Sequence, residues 1–131
     1  MMRERVQQYF TQFQNALRNL EEAVQYAKTD IEIDGTIKRF ELCYELSWKL
    51  IKEYLADLGL ICKNPRDCFR LAYQNGLIAN DQIWMEMIDA RNRLVRTYSA
   101  EESREMFIDI KEKFLHELKY LYDKILNAGQ I

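Results

Sequence analysis

Three arginines stand close together between Met87 and Ser103, in the stretch MIDARNRLVRTYSAEES. An arginine side chain offers a planar fork of donors that suits phosphate or carboxylate oxygens. The first of the three, Arg91, falls at helical spacing on an apolar stripe, and Tyr98 lies seven residues further, about 20° off the same line. The stripe consists of Trp84, Met87 or Ile88, and Leu94 or Val95. The pattern therefore predicts that Arg91 and Tyr98 face the rest of a helical bundle.

An arginine on an inward face requires an explanation, because an unpaired buried charge is costly. One explanation is a purely structural pair with a carboxylate on another helix, for which Glu41 and Glu45 are candidates. The other is a polar pocket that binds a phosphate or a nucleotide. Arg93 has Asp89 four residues before it, which is typical of a surface ion pair. Spacing alone does not decide between the two explanations for Arg91.

The usual catalytic motifs do not occur in the sequence. It contains neither a serine nucleophile elbow nor a glycine-rich phosphate loop. The single histidine, His116, lies among Leu115, Glu117 and Leu118 on the last predicted helix, where a surface or boundary histidine is expected. Cys43, Cys62 and Cys68 lack the histidine partners of a zinc site, and the opening MMRERVQQYF has no apolar core typical of a secretory signal. We therefore expect reduced thiols, a cytoplasmic location, and neither a metal nor a cofactor.

Composition limits the class of protein. The 131 residues are 48% hydrophobic and 31% charged, with a formal net charge of −2, which predicts one folded domain spanning residues 1–131. No apolar run approaches the roughly 20 residues of a membrane span. The overall charge does not indicate a nucleic-acid binder, so any such role depends on local clustering.

Four Gly and one Pro are too few for a sheet with many turns and favour long helices. The first two predicted helices each carry one apolar stripe, and Asp34-Gly35 reads as a turn near the start of the second, with Gly59 as the C-terminal cap of that helix. The first stripe is Val6, Phe10, Phe13, Leu17, Leu20, Val24 and Ala27, and the second is Ile33, Ile37, Phe40, Tyr44, Ser47, Ile51, Tyr54 and Leu58.

The rest of the chain contains recognisable helix starts. Asn64 before Pro65 begins a short third helix that Gly76 can close, and Asn80 or Asp81 caps a fourth that starts near Gln82. Ser99 with Glu102 forms a capping box, so a fifth helix starts near Ala100. Its inner face is predicted to hold Phe107, Ile110, Phe114, Leu118, Leu121 and Ile125. The sequence thus predicts an all-α, up-and-down antiparallel four-helix bundle with one additional short helix.

Two stretches resemble a known family. RFELCYELSWKLIKEYLADLG, residues 39–59, resembles the Phe-Glu…Tyr-Glu-Leu-x-Trp-Lys helix of the nucleotidyltransferase substrate-binding protein family. Residues 64–103 resemble its second hallmark, including Gly-Leu-Ile, the Trp and the Asp-x-Arg-Asn…Thr-Tyr run. The family belongs to the HEPN class of all-helical domains. The resemblance implies a homodimer that binds a minimal nucleotidyltransferase encoded nearby. In related toxin–antitoxin pairs, the HEPN protein is an RNA-cutting toxin that its partner neutralises by adding AMP to a tyrosine.

The resemblance also implies roles for particular residues. The family pattern is Arg, four residues, His, one residue, Tyr, which places Arg91 at the catalytic Arg, Asn92 at the polar residue after it and Tyr98 at the modified tyrosine. The His position holds Arg96, which can contact a phosphate but cannot act as a general base. Two protomers could bring Arg91, Arg93 and Arg96 together as a basic groove for nucleotide or RNA.

The resemblance and the missing His together favour an accessory, substrate-binding subunit of a nucleotidyltransferase with nucleotide or RNA phosphate near Arg91. Two alternatives remain open. One is a ribonuclease toxin with an altered site, and the other is a helical interaction module whose arginines are purely structural. Trp48 and Trp84 are predicted to pack in the core rather than stack on a base.

Overall fold

A computed structural model describes residues 3–129, and every regular element in that range is helical. The helices are α1 (Glu4–Tyr26), α2 (Asp30–Asp57), α3 (Pro65–Gln74), α4 (Asp81–Arg93), α5 (Ala100–Asp109) and α6 (Leu115–Gly129), with a π-helical turn (Ile110–Phe114) between α5 and α6. Because that turn joins α5 and α6 without a break, they form one long rod. The predicted count of four long helices and one short one is confirmed.

Side-chain caps set the helix starts. Asn64, Asn80 and Ser99 accept hydrogen bonds from backbone amides in the first turns of α3, α4 and α5, as predicted. The start of α2 differs from the prediction, because Thr29 and Glu32 form a capping box and the helix begins at Asp30. Asp34 and Gly35 therefore lie inside α2 rather than in a turn. Gly59 and Gly76 take positive φ angles of 82° and 76° just beyond α2 and α3, where glycine is favoured.

The π-helical turn corrects the predicted inner face of the last helix. The buried positions of this rod follow one another at spacings of four residues: Met106, Ile110, Phe114 and Leu118. They therefore take twelve residues to make three turns, whereas a regular helix completes three turns in about eleven. The wider π turn takes up the extra residue and keeps these positions facing inward. As a result Ser103 and Met106 are buried upstream of the turn, and Phe107 is only partly buried.

The helices pack in the up-and-down order that the sequence predicts. α1 lies along α2, while the rod of α5 and α6 contacts α2 with its first half and α1 with its second. The short α3 lies against α2 and α4. Aromatic pairs connect the elements, with ring centroids of Phe40 and Phe114 5.3 Å apart and those of Phe69 and Trp84 4.7 Å apart. This packing holds α4 against the rest of the bundle.

The cysteines differ from the expectation of reduced thiols. Cys62 and Cys68 form a disulfide with their Cα atoms 5.1 Å apart. The loop after α2 brings Cys62 back to the first turn of α3, so the two side chains meet although they are six positions apart in the sequence. Cys43 is free and fully buried, and burial raises the pKa of its thiol. Within residues 3–129, each helix is too charged or too short in its apolar run to cross a bilayer.

Candidate functional site

α4 ends at Arg93, so the arginine-rich stretch divides between a helix end and a loop. Arg91 lies in the last helical turn, whereas Arg96 and Tyr98 lie in the short connection before α5. The prediction that Arg91 and Tyr98 share one helix face is therefore wrong, and Val95 is 75% exposed. The capping box at Ser99 was the informative signal, because its extended backbone requires the preceding helix to end first.

Arg91 pairs with α2 through one of the two predicted carboxylates. Its Nε donates to Oε1 of Glu45 at 3.1 Å, and the two side chains are 29% and 32% exposed. The other carboxylate oxygen, Oε2, accepts a hydrogen bond from Nε1 of Trp48 at 3.0 Å. Glu45 thus orients the guanidinium and the indole together.

The pairing leaves part of the Arg91 guanidinium available. Only Nε bonds to Glu45, and neither Nη1 nor Nη2 forms a hydrogen bond with any residue between 3 and 129. Asn92 and Arg93 beside it are exposed, and the expected Asp89–Arg93 ion pair does not form within this part of the chain. Arg91 can therefore present two donors to an anion while Nε remains paired.

Arg96 belongs to a different local group. Its Nη2 donates to Oε2 of Glu102 at 3.1 Å, and its Nη1 donates to the backbone oxygen of Thr97 at 3.2 Å. The same Glu102 accepts from the Ser99 amide through Oε1 at 3.0 Å. These bonds lower the pKa of Glu102, and the backbone bond from Ser99 has a larger effect than the bond from Arg96. Arg96 therefore supports the start of α5 from a position separate from the Arg91–Glu45 pair.

Tyr98 is partly buried beside an acidic cleft. A cavity of about 340 Å³ is lined by Asp30, Asp34, Thr97, Tyr98, Ala100 and Ser103. Burial raises the pKa of the Tyr98 hydroxyl, and the nearby carboxylates of Asp34 and Glu41 raise it further. The hydroxyl therefore ionises less readily than that of an ordinary tyrosine.

The local charge is less positive than the count of arginines suggests. Arg91 and Arg96 are each paired with a glutamate, and Arg104 pairs with Asp30 at 3.2 Å. Much of the positive charge around this stretch is therefore balanced by carboxylates of α2 and α5.

A second arginine, which the sequence analysis did not single out, lies near Tyr44, the residue before the Glu45 that pairs with Arg91. Tyr44 is buried next to Glu45, and its pKa is raised to about 12, mainly by burial and then by Glu45. Arg91 and Arg66 both lie close enough to that hydroxyl to oppose the increase. Arg66 lies in the first turn of α3, with Nη1 3.2 Å from the sulfur of Met85. The basic cluster of Lys63, Arg66 and Arg70 was its only signal in the sequence.

The two tryptophans have different environments. Trp84 is fully buried, as predicted, and its Nε1 donates to the buried Glu117 at 3.3 Å. Trp48 is only partly buried and packs at the edge of the core, so the prediction of a core residue holds only in part. His116 is exposed on α6, remote in sequence from Arg91.

Comparison with known proteins gives consistent results. The sequence model of the family described as nucleotidyltransferase substrate binding protein like matches residues 8–127. A Haemophilus influenzae protein named "probable ribonuclease HepT" is 32% identical over 108 residues, which is 77% of this chain and 72% of that protein.

Two solved structures are also similar. One is a protein from Thermus thermophilus, 28% identical, with a TM-score of 0.75 over 91% of this chain and 99% of its own. The other, from Haemophilus influenzae, is described as having the fold of a substrate binding domain of a nucleotidyltransferase. It is 26% identical, with a TM-score of 0.77 over 89% of this chain and 98% of its own.

Proposed function

The chain belongs to the nucleotidyltransferase substrate-binding protein family, and from that premise we propose that it is the accessory, substrate-binding subunit of a minimal nucleotidyltransferase. In this role it binds the phosphate of a nucleotide or an RNA at Arg91. It acts in the cytoplasm as a homodimer, beside a nucleotidyltransferase encoded nearby. The description of the Haemophilus influenzae structure supports the choice of partner.

The geometry of Arg91 is the observation that carries the proposal. Glu45 holds Nε at 3.1 Å, so the side chain is already oriented before a ligand arrives. Nη1 and Nη2 remain free among the described residues to donate to phosphate oxygens, and the group is partly shielded from water. A partly desolvated, oriented guanidinium binds a phosphate more strongly than a freely mobile one. Asn92, Arg93 and Arg96 are further, more exposed contacts in the same proposal.

Arg91→Ala tests this proposal directly. We expect the affinity for AMP or for a short single-stranded RNA to fall about tenfold or more, because a hydrogen bond to a charged group contributes about 1.5–3 kcal/mol. The measurement is isothermal titration calorimetry at fixed low salt. Arg18→Ala is the matched control, since Arg18 is an exposed arginine on α1.

Unchanged affinity in Arg91→Ala would contradict the proposal. If the variant also unfolded at a lower temperature while every binding assay remained normal, the arginine would be purely structural. The chain would then be a helical interaction module.

A second candidate function is a ribonuclease toxin, which the name of the Haemophilus influenzae relative favours. Arg91 and Arg96 would then carry transition-state charge, and the partner would neutralise the toxin by adenylylating Tyr98. Arg96 cannot exchange a proton as the family histidine does, and it is paired with Glu102. This function predicts metal-independent RNA cleavage that Arg91→Ala abolishes. The absence of cleavage by the purified dimer across the pH range would refute it.

A further inference from the structure

We propose that Trp48 is the nucleobase platform of the Arg91 site, so that a bound nucleotide stacks its base on this indole while Arg91 contacts its phosphate. The inference rests on the proposed function, because it adds a base contact to the phosphate contact already assigned. It names the ligand class as a nucleotide unit, either free or within single-stranded RNA.

Trp48 differs from Trp84 in accessibility. Trp84 is 0% exposed, and Phe69 and Glu117 contact its ring and its Nε1 within the core. Trp48 packs against the core with one part of its side chain and reaches the surface with the rest. It is therefore the one of the two tryptophans whose ring a ligand can reach.

One carboxylate fixes the positions of the indole and the guanidinium. Glu45 accepts from Trp48 Nε1 at 3.0 Å through one oxygen and from Arg91 Nε at 3.1 Å through the other. The aromatic ring and the cationic fork are thus separated by the width of a single carboxylate and its two hydrogen bonds. A nucleotide places its base and its phosphate on either side of one sugar, so it can bridge these two groups.

The surrounding charge suits a phosphate-bearing ligand. Lys52 Nζ lies over the Trp48 ring at 6.0 Å from its centroid, at the outer limit of a cation–π contact. Arg66 lies near Tyr44, the residue next to Glu45. Neither Lys52 nor Arg66 forms an ion pair with any residue between 3 and 129. Lys52 can swing off the ring toward a phosphate when a base takes its place.

The combination of the Trp48 ring and the Arg91 guanidinium favours a nucleotide over a simple anion as the ligand. Inorganic phosphate or a carboxylate needs only the guanidinium, whereas a π face beside a cation is the arrangement by which proteins bind single-stranded nucleic acid without reading its sequence. Because every base has a π face, this surface predicts little discrimination among the four bases. Contact with Trp48 therefore supplies affinity, and the partner enzyme would have to supply any choice of base.

Because the chain has two tryptophans, of which Trp84 is buried, tryptophan fluorescence can test whether a base stacks on Trp48. AMP, ribose 5-phosphate and a short oligoadenylate are titrated into the full chain, with tryptophan fluorescence and calorimetry recorded together. Stacking on Trp48 should quench the fluorescence with AMP and oligoadenylate, but not with ribose 5-phosphate. Trp48→Phe retains an aromatic ring and should bind AMP within a few-fold of the wild type, without quenching. Trp48→Leu should bind AMP and oligoadenylate roughly fivefold or more weakly, with ribose 5-phosphate affinity unchanged.

The outcomes separate this inference from the proposed function. If AMP binds in an Arg91-dependent way but neither quenches Trp48 nor loses affinity in Trp48→Leu, the base platform is refuted and the phosphate site stands. If none of the three ligands binds the wild type, both fail. Quenching that persists in Trp48→Phe would assign the signal to Trp84 and also refute the platform. Because Trp48→Phe changes a partly exposed ring to a smaller one, it keeps the test decisive if Trp48→Leu does not fold.

Discussion

Arg91 shows how one pairing can satisfy both interpretations of an inward-facing arginine. Its Nε and Glu45 form the structural pair, and its terminal nitrogens remain open for a ligand. A pair whose members are each nearly a third exposed contributes about 1 kcal/mol or less to stability. The pair therefore adds little to the stability of the fold, and its main consequence is that the Arg91 guanidinium is held in one orientation.

Tyr98 gives a second prediction at the scale of the residue. Burial raises the pKa of its hydroxyl, and Asp34 and Glu41 raise it further, so the proton that an adenylylating partner must remove is held more tightly than in an ordinary tyrosine. If this partner modifies the chain, co-expression with ATP and Mg²⁺ should add AMP units to the intact mass. The added mass should be absent in Tyr98→Phe and present in Tyr73→Phe, whose ring is exposed on α3. Added mass that persists in Tyr98→Phe would exclude Tyr98 as the acceptor.

At the scale of the element, the start of α5 has a defined pH dependence. The pKa of Glu102 is lowered by the Ser99 amide and by Arg96, so its contribution to stability is present above the ordinary glutamate pKa and is lost as the pH falls through its lower folded value. Glu102→Gln should be less stable than the wild type at neutral pH, and the difference should shrink in acid. Thermal unfolding between pH 3 and pH 7 measures it. Glu105→Gln, an exposed carboxylate on the same helix, should show no such trend.

The π-helical turn predicts that the fold tolerates the deletion of one residue within it. Deleting Lys111 removes the extra residue, so the spacing between Met106 and Leu118 becomes that of a regular helix and the core positions stay inward. We expect a folded protein with a small loss of stability. Deletion of Lys119, also exposed but beyond Leu118 in regular helix α6, leaves the twelve-residue spacing unchanged, rotates Leu121 and Ile125 by about 100° and should unfold the bundle. Circular dichroism melts distinguish the two, and equal destabilisation would contradict the account of the turn.

At the scale of the whole molecule, the disulfide joins the loop after α2 to the first turn of α3. Cys68→Ser should lower the free energy of unfolding by about 2 kcal/mol, the entropy expected for a short closed loop. Denaturant unfolding with and without a reducing agent measures this effect. If the wild type and the variant unfold at the same denaturant concentration under oxidising conditions, the bond does not stabilise the fold.

The bundle could be predicted from the sequence because its cues are local. Stripes such as Phe10, Phe13 and Leu17, and caps such as Asn64 and Ser99, act within one or two turns of helix. The details of the site depend on long-range packing. Nothing near Arg91 selects Glu45 over Glu41, and nothing near Trp48 indicates that its ring reaches the surface. The end of α4 has no glycine or proline to mark it, so the capping box at Ser99 was the one local indication that the helix stops before α5.

Co-purification with the minimal nucleotidyltransferase tests the central claim most directly. The two chains are co-expressed, purified through a tag on the partner alone, and weighed by light scattering during gel filtration. We expect one species of constant stoichiometry that contains this chain, and the same complex for Arg91→Ala, because Arg91 is assigned to the phosphate rather than to the partner. Two separately eluting proteins at micromolar concentration would contradict the assignment of this chain as a nucleotidyltransferase subunit.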